Sequence, residues 1–310
     1  MNKTIRIGTR ESQLAVWQAT TVKDLLQDKE YKAELVYIKS EGDTDLKTPL
    51  YEIGVQGIFT KALDIALLNG EIDIAVHSMK DVPTMMAKGI VQAAVLPRAS
   101  YKDIFVPKSD EAAETIAQRN AHTSLVIATS SIRRKAQWLN RYPADEIENL
   151  RGNVNTRLRK VQENDWKGAI FAAAGLERIG LRPENAIEID WMLPAPAQGA
   201  ITVVCREDDK YALTACVHFH DVHTALCTQI ERDFLRALSG GCSTPISALA
   251  RVEEGQVIFE GNILSTDGKQ KKEITKKVAV AAAPGLGNIA AQELLKNGGQ
   301  EILDGFRNGK

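Results

Sequence analysis

Apolar and polar residues follow two different patterns along the first two-thirds of the chain. Short apolar runs, such as IDIAV (72–76) and IVQAAVLP (90–97), are typical of buried strands. Residues 12–27 and 59–70 instead carry apolar side chains at helical spacing, and Gly70 would close the second helix. Strands that alternate with helices predict a parallel or mixed sheet flanked by helices.

The same alternation restarts after residue 100. The predicted strands are SLVIA (124–128), EIENL (146–150), GAIFA (168–172) and AIEID (186–190). The predicted helices cover residues 131–141, 154–163 and 173–179. The proline-rich stretch MLPAPAQGA (192–200) is typical of a crossing between domains, and the strand AITVVC (200–205) follows it.

The last part of the chain has a different pattern. A helix over 222–238 would have one apolar face, formed by Val222, Leu226, Ile230, Phe234 and Leu238. Three strands in series follow, ISALARV (246–252), QVIFEGNIL (256–264) and EITKKVAVA (273–281), which suggests an antiparallel sheet, and a final helix is predicted at 288–297. The predicted domains are an α/β domain of residues 1–99 with 200–217, an α/β domain of residues 100–199, and a smaller α+β domain of residues 218–310.

Composition narrows the class of protein. The chain has 310 residues, of which 44% are hydrophobic and 25% charged, and its formal net charge is -1. That balance gives no broad attraction to nucleic acid or to an anionic membrane. The N-terminus lacks an apolar signal core, and no apolar run could span a bilayer. We therefore expect a cytoplasmic protein, unless an organelle signal has been cleaved.

The four cysteines divide into two groups. Cys205, Cys216 and Cys227 fall on apolar strands or helices, as buried cysteines do. There is no Cys-x-x-Cys pair and no histidine at zinc-finger spacing, so no metal is expected. Cys242 instead follows two glycines just past a predicted helix. The helix dipole there disfavours a thiolate nucleophile, whereas the glycines allow another group to approach, as a thioether-linked prosthetic group would require.

Three strand-to-helix junctions combine small polar residues with arginine: GTRES (8–12), TSSIRR (129–134) and RGNVNTR (151–157). Each is either an ordinary helix cap with a surface arginine or part of an anion-binding cleft, because helix N-termini and guanidinium groups both bind anions. The chain has neither a phosphate-binding loop nor a dinucleotide fingerprint. Dispersed arginines favour a ligand with several carboxylates.

The stretch VHSMKDVP (76–83) follows a predicted buried strand. Its His77, Lys80 and Asp81 would arrive where open α/β sheets present ligand-binding loops. Asp81 could then hold a cationic group or exchange a proton with it. The alternative is a solvated charged turn.

Seven motifs occur together and in order: TRESQLAVWQA, HSMKDVP, ATSSIRRKAQW, LRGNVNTRLRK, AAAGLERIGL, LPAPAQGAI and GGCSTPI. Through these motifs, which span nearly its whole length, the chain resembles the porphobilinogen deaminase family, also called hydroxymethylbilane synthases. The resemblance implies an α/β fold with two periplasmic-binding-protein-like (type II) α/β domains plus a smaller C-terminal α+β domain.

The resemblance also implies an activity. The family joins four porphobilinogen molecules head to tail, releases ammonia, and yields hydroxymethylbilane, the precursor of uroporphyrinogen III in heme biosynthesis. It implies a dipyrromethane cofactor held by a thioether to Cys242, a monomer, and passage of the product to uroporphyrinogen-III synthase. It implies neither a nucleic-acid nor a membrane partner.

Roles for single residues follow from the resemblance alone. Asp81 matches the catalytic carboxylate. The cofactor-binding positions are Cys242, Lys80, Asp81, Thr129, Ser130, Ser131, Arg133, Arg134 and Arg157. The substrate-binding positions are Arg10, Ser12, Gln18, Phe59, Arg151, Arg157, Arg178 and Gln198.

The chain departs from the family pattern in its active-site loop, where Glu52 and Gln56 replace residues that are often lysine. Ser243 and Thr244 replace a more usual glutamine-led pair after the anchor position. Two rival functions are a non-catalytic periplasmic-type anion-binding or regulatory module and a nucleic-acid binder. The scattered arginines and the net charge disfavour the second rival.

Overall fold

The computed structural model describes residues 3–39, 60–119, 123–238 and 244–308. These residues divide into two compact units. The first unit comprises residues 3–39, 60–100 and 198–225, and the second comprises 101–119, 123–197, 226–238 and 244–308.

The described strands and helices are as follows. The strands are β1 Ile5–Thr9, β2 Ala33–Tyr37, β3 Ile74–Ser78, β4 Ile90–Val95, β5 Asp103–Pro107, β6 Val126–Ala128, β7 Glu146–Glu148, β8 Gly168–Ala172, β9 Ile187–Glu188, β10 Ile201–Arg206, β11 Ile246–Glu253, β12 Gln256–Leu264 and β13 Lys271–Ala279. The helices are α1 Gln13–Gln27, α2 Lys61–Leu68, α3 Asp110–Gln118, α4 Ile132–Arg141, α5 Val154–Glu163, α6 Ala173–Glu177, α7 Lys210–Cys216, α8 Val222–Ala237, α9 Leu286–Leu294 and α10 Gln300–Asn308.

The first unit contains one mixed sheet with the strand order β2-β1-β3-β10-β4. Strands β1, β2 and β3 are parallel, and β10 runs antiparallel between β3 and β4. Helix α1 covers one face through Ala19, Val22 and Leu26, whose three- and four-residue spacing keeps them on one side of the helix. The parallel or mixed sheet predicted from the sequence is confirmed as mixed.

The second unit contains an α/β sheet of the same design, with the order β7-β6-β8-β5-β9. Here β6 is parallel to β7 and β8, while β5 runs antiparallel between β8 and β9. In both sheets the fourth strand is therefore antiparallel, and it is not consecutive in the sequence with the strands on either side of it. The sequence shows no internal repeat from which the similarity of the two sheets could be predicted.

A third sheet, with the antiparallel order β11-β12-β13, also lies in the second unit. Helix α8 packs on it through Ile230 and Phe234, and Leu238 packs on it directly after the helix. The rings of Phe234 and Phe259 lie 5.1 Å apart. A Cβ atom at Gly261 would lie 2.7 Å from the Phe234 ring, so glycine permits this close approach. The predicted apolar face of α8 is wrong at its first member, because Val222 is 65% exposed.

The strength of the apolar pattern decided which elements could be predicted. The bounds expected for 154–163, 168–172 and 256–264 are confirmed. The strand expected at 186–190 is only the two residues of β9, and β5, α3, α7 and α10 were not predicted. The apolar residues of helix α3 are three alanines and Ile116, and only Ala112 is buried, so few large apolar side chains mark it in the sequence.

None of the helices in the described part of the chain is both long enough and apolar enough to cross a bilayer.

Candidate active site

One edge of the first sheet collects six of the predicted site residues. Strands β1 and β3 are parallel neighbours, so the residues after them emerge at the same edge. Strand β10 is antiparallel to β3 and therefore starts at that edge. The residues brought together are Arg10, Ser12, Gln18, Lys80, Asp81 and Gln198.

The turn that follows β3 is held from two sides. It is a single 3₁₀ turn, Met79–Asp81, and the Met79 N–H donates to the Ala200 carbonyl at 3.0 Å. The buried Gln18 side chain donates to Ser78 Oγ at 2.8 Å, and Lys80 Nζ donates to Gln198 Oε1 at 3.2 Å. The two glutamines thus fix the residues on either side of Met79.

Asp81 ends this turn with an available carboxylate. The residue is exposed, and its side chain makes no hydrogen bond or ion pair with any residue in the described ranges. A carboxylate that no neighbour neutralises can attract a cationic group or accept N–H donors from a ligand.

The β1–α1 junction provides the positive counterpart. Ser12 is the N-cap of α1, and its Oγ accepts from the Ala15 N–H at 3.4 Å. Arg10 is half-buried just before this cap. The cap and the anion-binding interpretations of this junction are compatible, because a capped helix still directs further N–H groups outward.

His77 was noticed in the sequence but was not among the predicted site residues. It is buried, and no described residue forms a hydrogen bond with its Nε2. Burial, with a smaller contribution from the positive charge of Arg10, lowers the pKa of His77 to about 4. The imidazole is therefore neutral at neutral pH.

The corresponding edge of the second sheet carries the remaining described site residues. Strands β6, β7 and β8 are parallel and end at one edge. One predicted junction follows β6, another follows β7, and helix α6 follows β8. The residues placed there are Thr129, Ser130, Ser131, Arg133, Arg134, Arg151, Arg157 and Arg178.

Hydroxyl and amide groups at this edge organise the backbone. Ser131 and Asn153 are the N-caps of α4 and α5, as the junction pattern suggested. Ser130 Oγ donates to the Leu150 carbonyl and accepts from the Leu150 N–H at 3.1 Å. Ser130 therefore ties the end of one strand to the segment after its neighbour.

Arg133 and Arg134 share the carboxylate of Asp103, which is fully buried. Each places its Nη2 2.8 Å from one oxygen of that carboxylate. Arg134 Nη1 donates to the Ile170 carbonyl at 2.8 Å, and Arg133 Nη1 donates to the Leu193 carbonyl at 2.7 Å. Burial lowers the pKa of Arg133, and the charge of Asp103 opposes that shift.

These contacts give both arginines a structural role inside the second unit. Their assignment to ligand carboxylates stays a prediction. Asp103 itself was missed, because a single aspartate at the start of a short strand carries no sequence signal.

The other arginines at this edge are less enclosed. Arg157 Nε donates to the carbonyl of Gly152 at 2.7 Å, and Gly152 adopts a φ of 114° that favours glycine. Arg178 is half-buried at the end of α6, and burial lowers its pKa to about 10. It remains cationic at neutral pH.

Several predictions fall outside the described residues: those on Cys242, Phe59, Glu52, Gln56 and Ser243. The other three cysteines are buried, as expected. Burial raises the pKa of Cys205 to about 11 and that of Cys216 to about 12, so both remain protonated thiols at neutral pH.

The geometry of the two edges defines a class of protein. Each unit contains an α/β sheet whose carboxyl edge carries hydroxyl groups, helix N-termini and basic side chains, as expected of a protein that binds a polyanionic ligand. The exposed carboxylate of Asp81 adds a group that such binding alone does not require.

Comparison with known proteins identifies the family. Residues 5–214 match the model of the porphobilinogen deaminase dipyromethane cofactor binding domain, and residues 225–296 match the porphobilinogen deaminase C-terminal domain. The chain belongs to the porphobilinogen deaminase family.

Full-length relatives and solved structures are similar to the chain in different degrees. The porphobilinogen deaminase of Syntrophotalea carbinolica is 40% identical, over 96% of this chain and 95% of its own. The chloroplastic enzyme of Pisum sativum is 40% identical, over 97% and 82%. The methionine binding protein MetQ is a similar solved structure, with 14% identity, coverage of 72% and 92%, and a TM-score of 0.44.

The predicted fold class is confirmed. Each of the two units contains a mixed α/β sheet, and the residues that match the C-terminal domain model combine an antiparallel sheet with helices.

Proposed function

We propose that the protein joins four porphobilinogen molecules head to tail, releases one ammonia for each, and produces hydroxymethylbilane. The observation that carries the proposal is the exposed carboxylate of Asp81, set on a braced turn at a sheet edge with basic residues. Membership of the porphobilinogen deaminase family supports the substrate class.

The described residues fit a dipyrromethane that carries several carboxylates. Arg10 and Lys80 in the first unit, and Arg157 and Arg178 in the second, are cationic and not fully buried. Guanidinium groups match carboxylates in charge and in planar geometry. We propose that Cys242 holds the group by a thioether. When bound, the dipyrromethane supplies the terminal pyrrole that the first substrate extends.

Asp81 has the central chemical role in this proposal. Loss of ammonia from porphobilinogen leaves positive charge on the pyrrole, and a nearby carboxylate stabilises that charge. The same carboxylate can accept pyrrole N–H groups and so hold the reacting rings in line. The contacts of Gln18 and Gln198 fix the turn. The position of Asp81 is therefore set before each reaction step.

The remaining assignments concern binding. Arg10, Ser12, Gln18, Phe59, Arg151, Arg157, Arg178 and Gln198 are proposed to contact the substrate and the growing chain. Thr129, Ser130, Ser131, Arg133 and Arg134 are proposed to serve the cofactor. The three-domain division, a monomeric state, a cytoplasmic location and transfer of the product to uroporphyrinogen-III synthase are part of the same proposal.

Intact-mass spectrometry with an activity assay tests the function. The purified wild type should carry an adduct of two pyrrole units, and Cys242→Ala should lose both the adduct and the activity. Cys205→Ala is the matched control, since that thiol is buried in the first unit, and it should keep both. An unmodified wild type that is fully active would exclude the cofactor proposal, while an unmodified one that releases no ammonia would favour the non-catalytic binding module.

A further inference from the structure

The second unit contains a cavity that the proposed function does not use. It lies between residues 189–194, which follow β9, and the sheet β11-β12-β13. Its volume is about 670 Å³, within the range of small-molecule binding sites. Tyr101 and Trp191 contribute aromatic surface to its wall.

An unsatisfied polar group lines this cavity. Asn262 on β12 is only 4% exposed, and its Oδ1 is buried without a hydrogen-bond partner among the residues that the structure describes. Buried acceptors in folded proteins are almost always satisfied, so an isolated one calls for an explanation. A donor group on a bound ligand would supply the missing partner once the Asn262 side chain turns its Oδ1 toward the cavity.

The charges around the cavity favour one kind of ligand. Three cationic side chains and four carboxylates line it, and every one of these cations is already paired with a carboxylate. The pairs are Lys102 with Asp190 (2.8 Å), Arg251 with Glu253 (3.0 Å) and Glu260 (2.9 Å), and Lys271 with Glu273 (2.5 Å). Because each carboxylate can accept several hydrogen bonds, the wall keeps acceptor capacity and an excess of negative charge.

We propose that this cavity binds a small organic cation, that is, a compound with a primary ammonium or guanidinium group. Such a ligand can donate to the carboxylates and to Asn262 without breaking an ion pair. An anion would first have to displace the carboxylates from Arg251 or from a lysine. The preference for a cation is therefore opposite to that of the polycarboxylate site proposed above. Each of the two proposals can be tested independently of the other.

The wall is also preorganised. Gln137 donates to the Leu193 carbonyl at 3.0 Å, accepts from the Leu193 N–H at 2.9 Å, and donates to Ser247 Oγ at 3.1 Å. The Ala248 N–H donates to the Pro194 carbonyl at 3.2 Å. The segment after β9 is thus bonded both to α4 and to β11, so the cavity exists before any ligand arrives.

Calorimetry on the full-length protein with three four-carbon probes tests the proposal. We expect 1,4-diaminobutane to bind saturably at constant ionic strength, and 1,4-butanediol and succinate not to bind. Asn262→Leu should weaken diaminobutane binding by about tenfold or more, since a hydrogen bond to a charged group is lost. It should not lower the melting temperature, because it removes an unsatisfied buried acceptor.

A charge variant provides a second readout that does not depend on core packing. In the double variant Glu253→Gln/Glu260→Gln, the cationic side chains of the cavity outnumber its carboxylates. We expect this variant to bind succinate in preference to diaminobutane. Glu301→Gln, on an exposed face of α10, is the control and should bind like the wild type. The proposal is overturned if diaminobutane shows no saturable binding at millimolar concentrations. Equal binding of the three probes, or unchanged binding in Asn262→Leu and the double variant, would also overturn it.

Discussion

The carboxyl edges of the two α/β sheets have the same topology but use their charged residues in opposite ways. In the first unit, Arg10 is half-buried and Asp81 is exposed without a partner in the described part of the chain. In the second unit, Arg133 and Arg134 are buried on the carboxylate of Asp103. Equivalent strand-to-helix junctions can therefore place arginine either in the scaffold or at a surface that a ligand can reach.

The difference has a simple electrostatic origin. Two buried guanidinium groups would be very unfavourable without a counter-charge, and Asp103 supplies it from the start of β5, which is antiparallel to β8. The structurally equivalent strand of the first sheet, β10, has no acidic residue at its start: Gln198 precedes it and binds Lys80. Asp81 is thus left available at the first edge.

The largest expected effect concerns the buried arginines of the second unit. Asp103→Asn keeps the shape of the side chain but leaves Arg133 and Arg134 with uncompensated buried charge. We expect the free energy of unfolding to fall by about 3–5 kcal/mol, measured by denaturant titration. Asp165→Asn, at a fully exposed aspartate in the same unit, is the control and should change it by less than about 0.5 kcal/mol.

The next effect concerns the exposed carboxylate. Asp81→Asn should reduce the single-turnover rate at least about 10²-fold, because the charge that stabilises the cationic substrate is lost. The melting temperature should stay at the wild-type value, since Asp81 has no described partner to lose. Asp81→Glu retains the charge and should keep more activity.

The assay should use holoenzyme reconstituted with the linear tetrapyrrole, so that any assembly defect is bypassed. If Asp81→Asn reacted at the wild-type rate, the residue would be a solvated turn and the contrast between the two edges would lose its functional meaning.

The sequence predicted the positions of the site better than their environment. Ser12, Ser131 and Asn153 cap helices where the junction pattern placed them, because capping is a local property of a few neighbouring residues. The burial of Arg133 could not be predicted, because it depends on Asp103, which is thirty residues away and reaches it only through strand pairing. The equivalence of the two sheets was hidden for the same reason.

A third effect concerns His77, at the first edge. Its pKa of about 4 in the folded protein lies below the ordinary value of 6.5, so the unfolded chain binds the proton first as the pH falls. Stability is therefore complete above about pH 6.5 and decreases toward pH 4, with a loss of about 2 kcal/mol at pH 5. His77→Phe should remove this part of the acid sensitivity in denaturant titrations at pH 7 and pH 5. An equal loss in wild type and variant would show that the histidine does not titrate in this way.

The smallest expected effect tests whether the first edge binds the substrate. Arg10→Leu removes a half-buried guanidinium group that is proposed to contact a substrate carboxylate. We expect KM for porphobilinogen to rise by about tenfold, the equivalent of one charged hydrogen bond, while the Cys242 adduct still forms. Arg159→Leu, at an exposed arginine of α5 that pairs with Glu163, is the matched control and should leave KM unchanged. Because Arg10 and Arg133 occupy junctions of the same kind, a KM effect in Arg10→Leu without loss of stability would separate the binding edge from the scaffold edge. A loss of stability without a change in KM would instead assign Arg10 the structural role of Arg133.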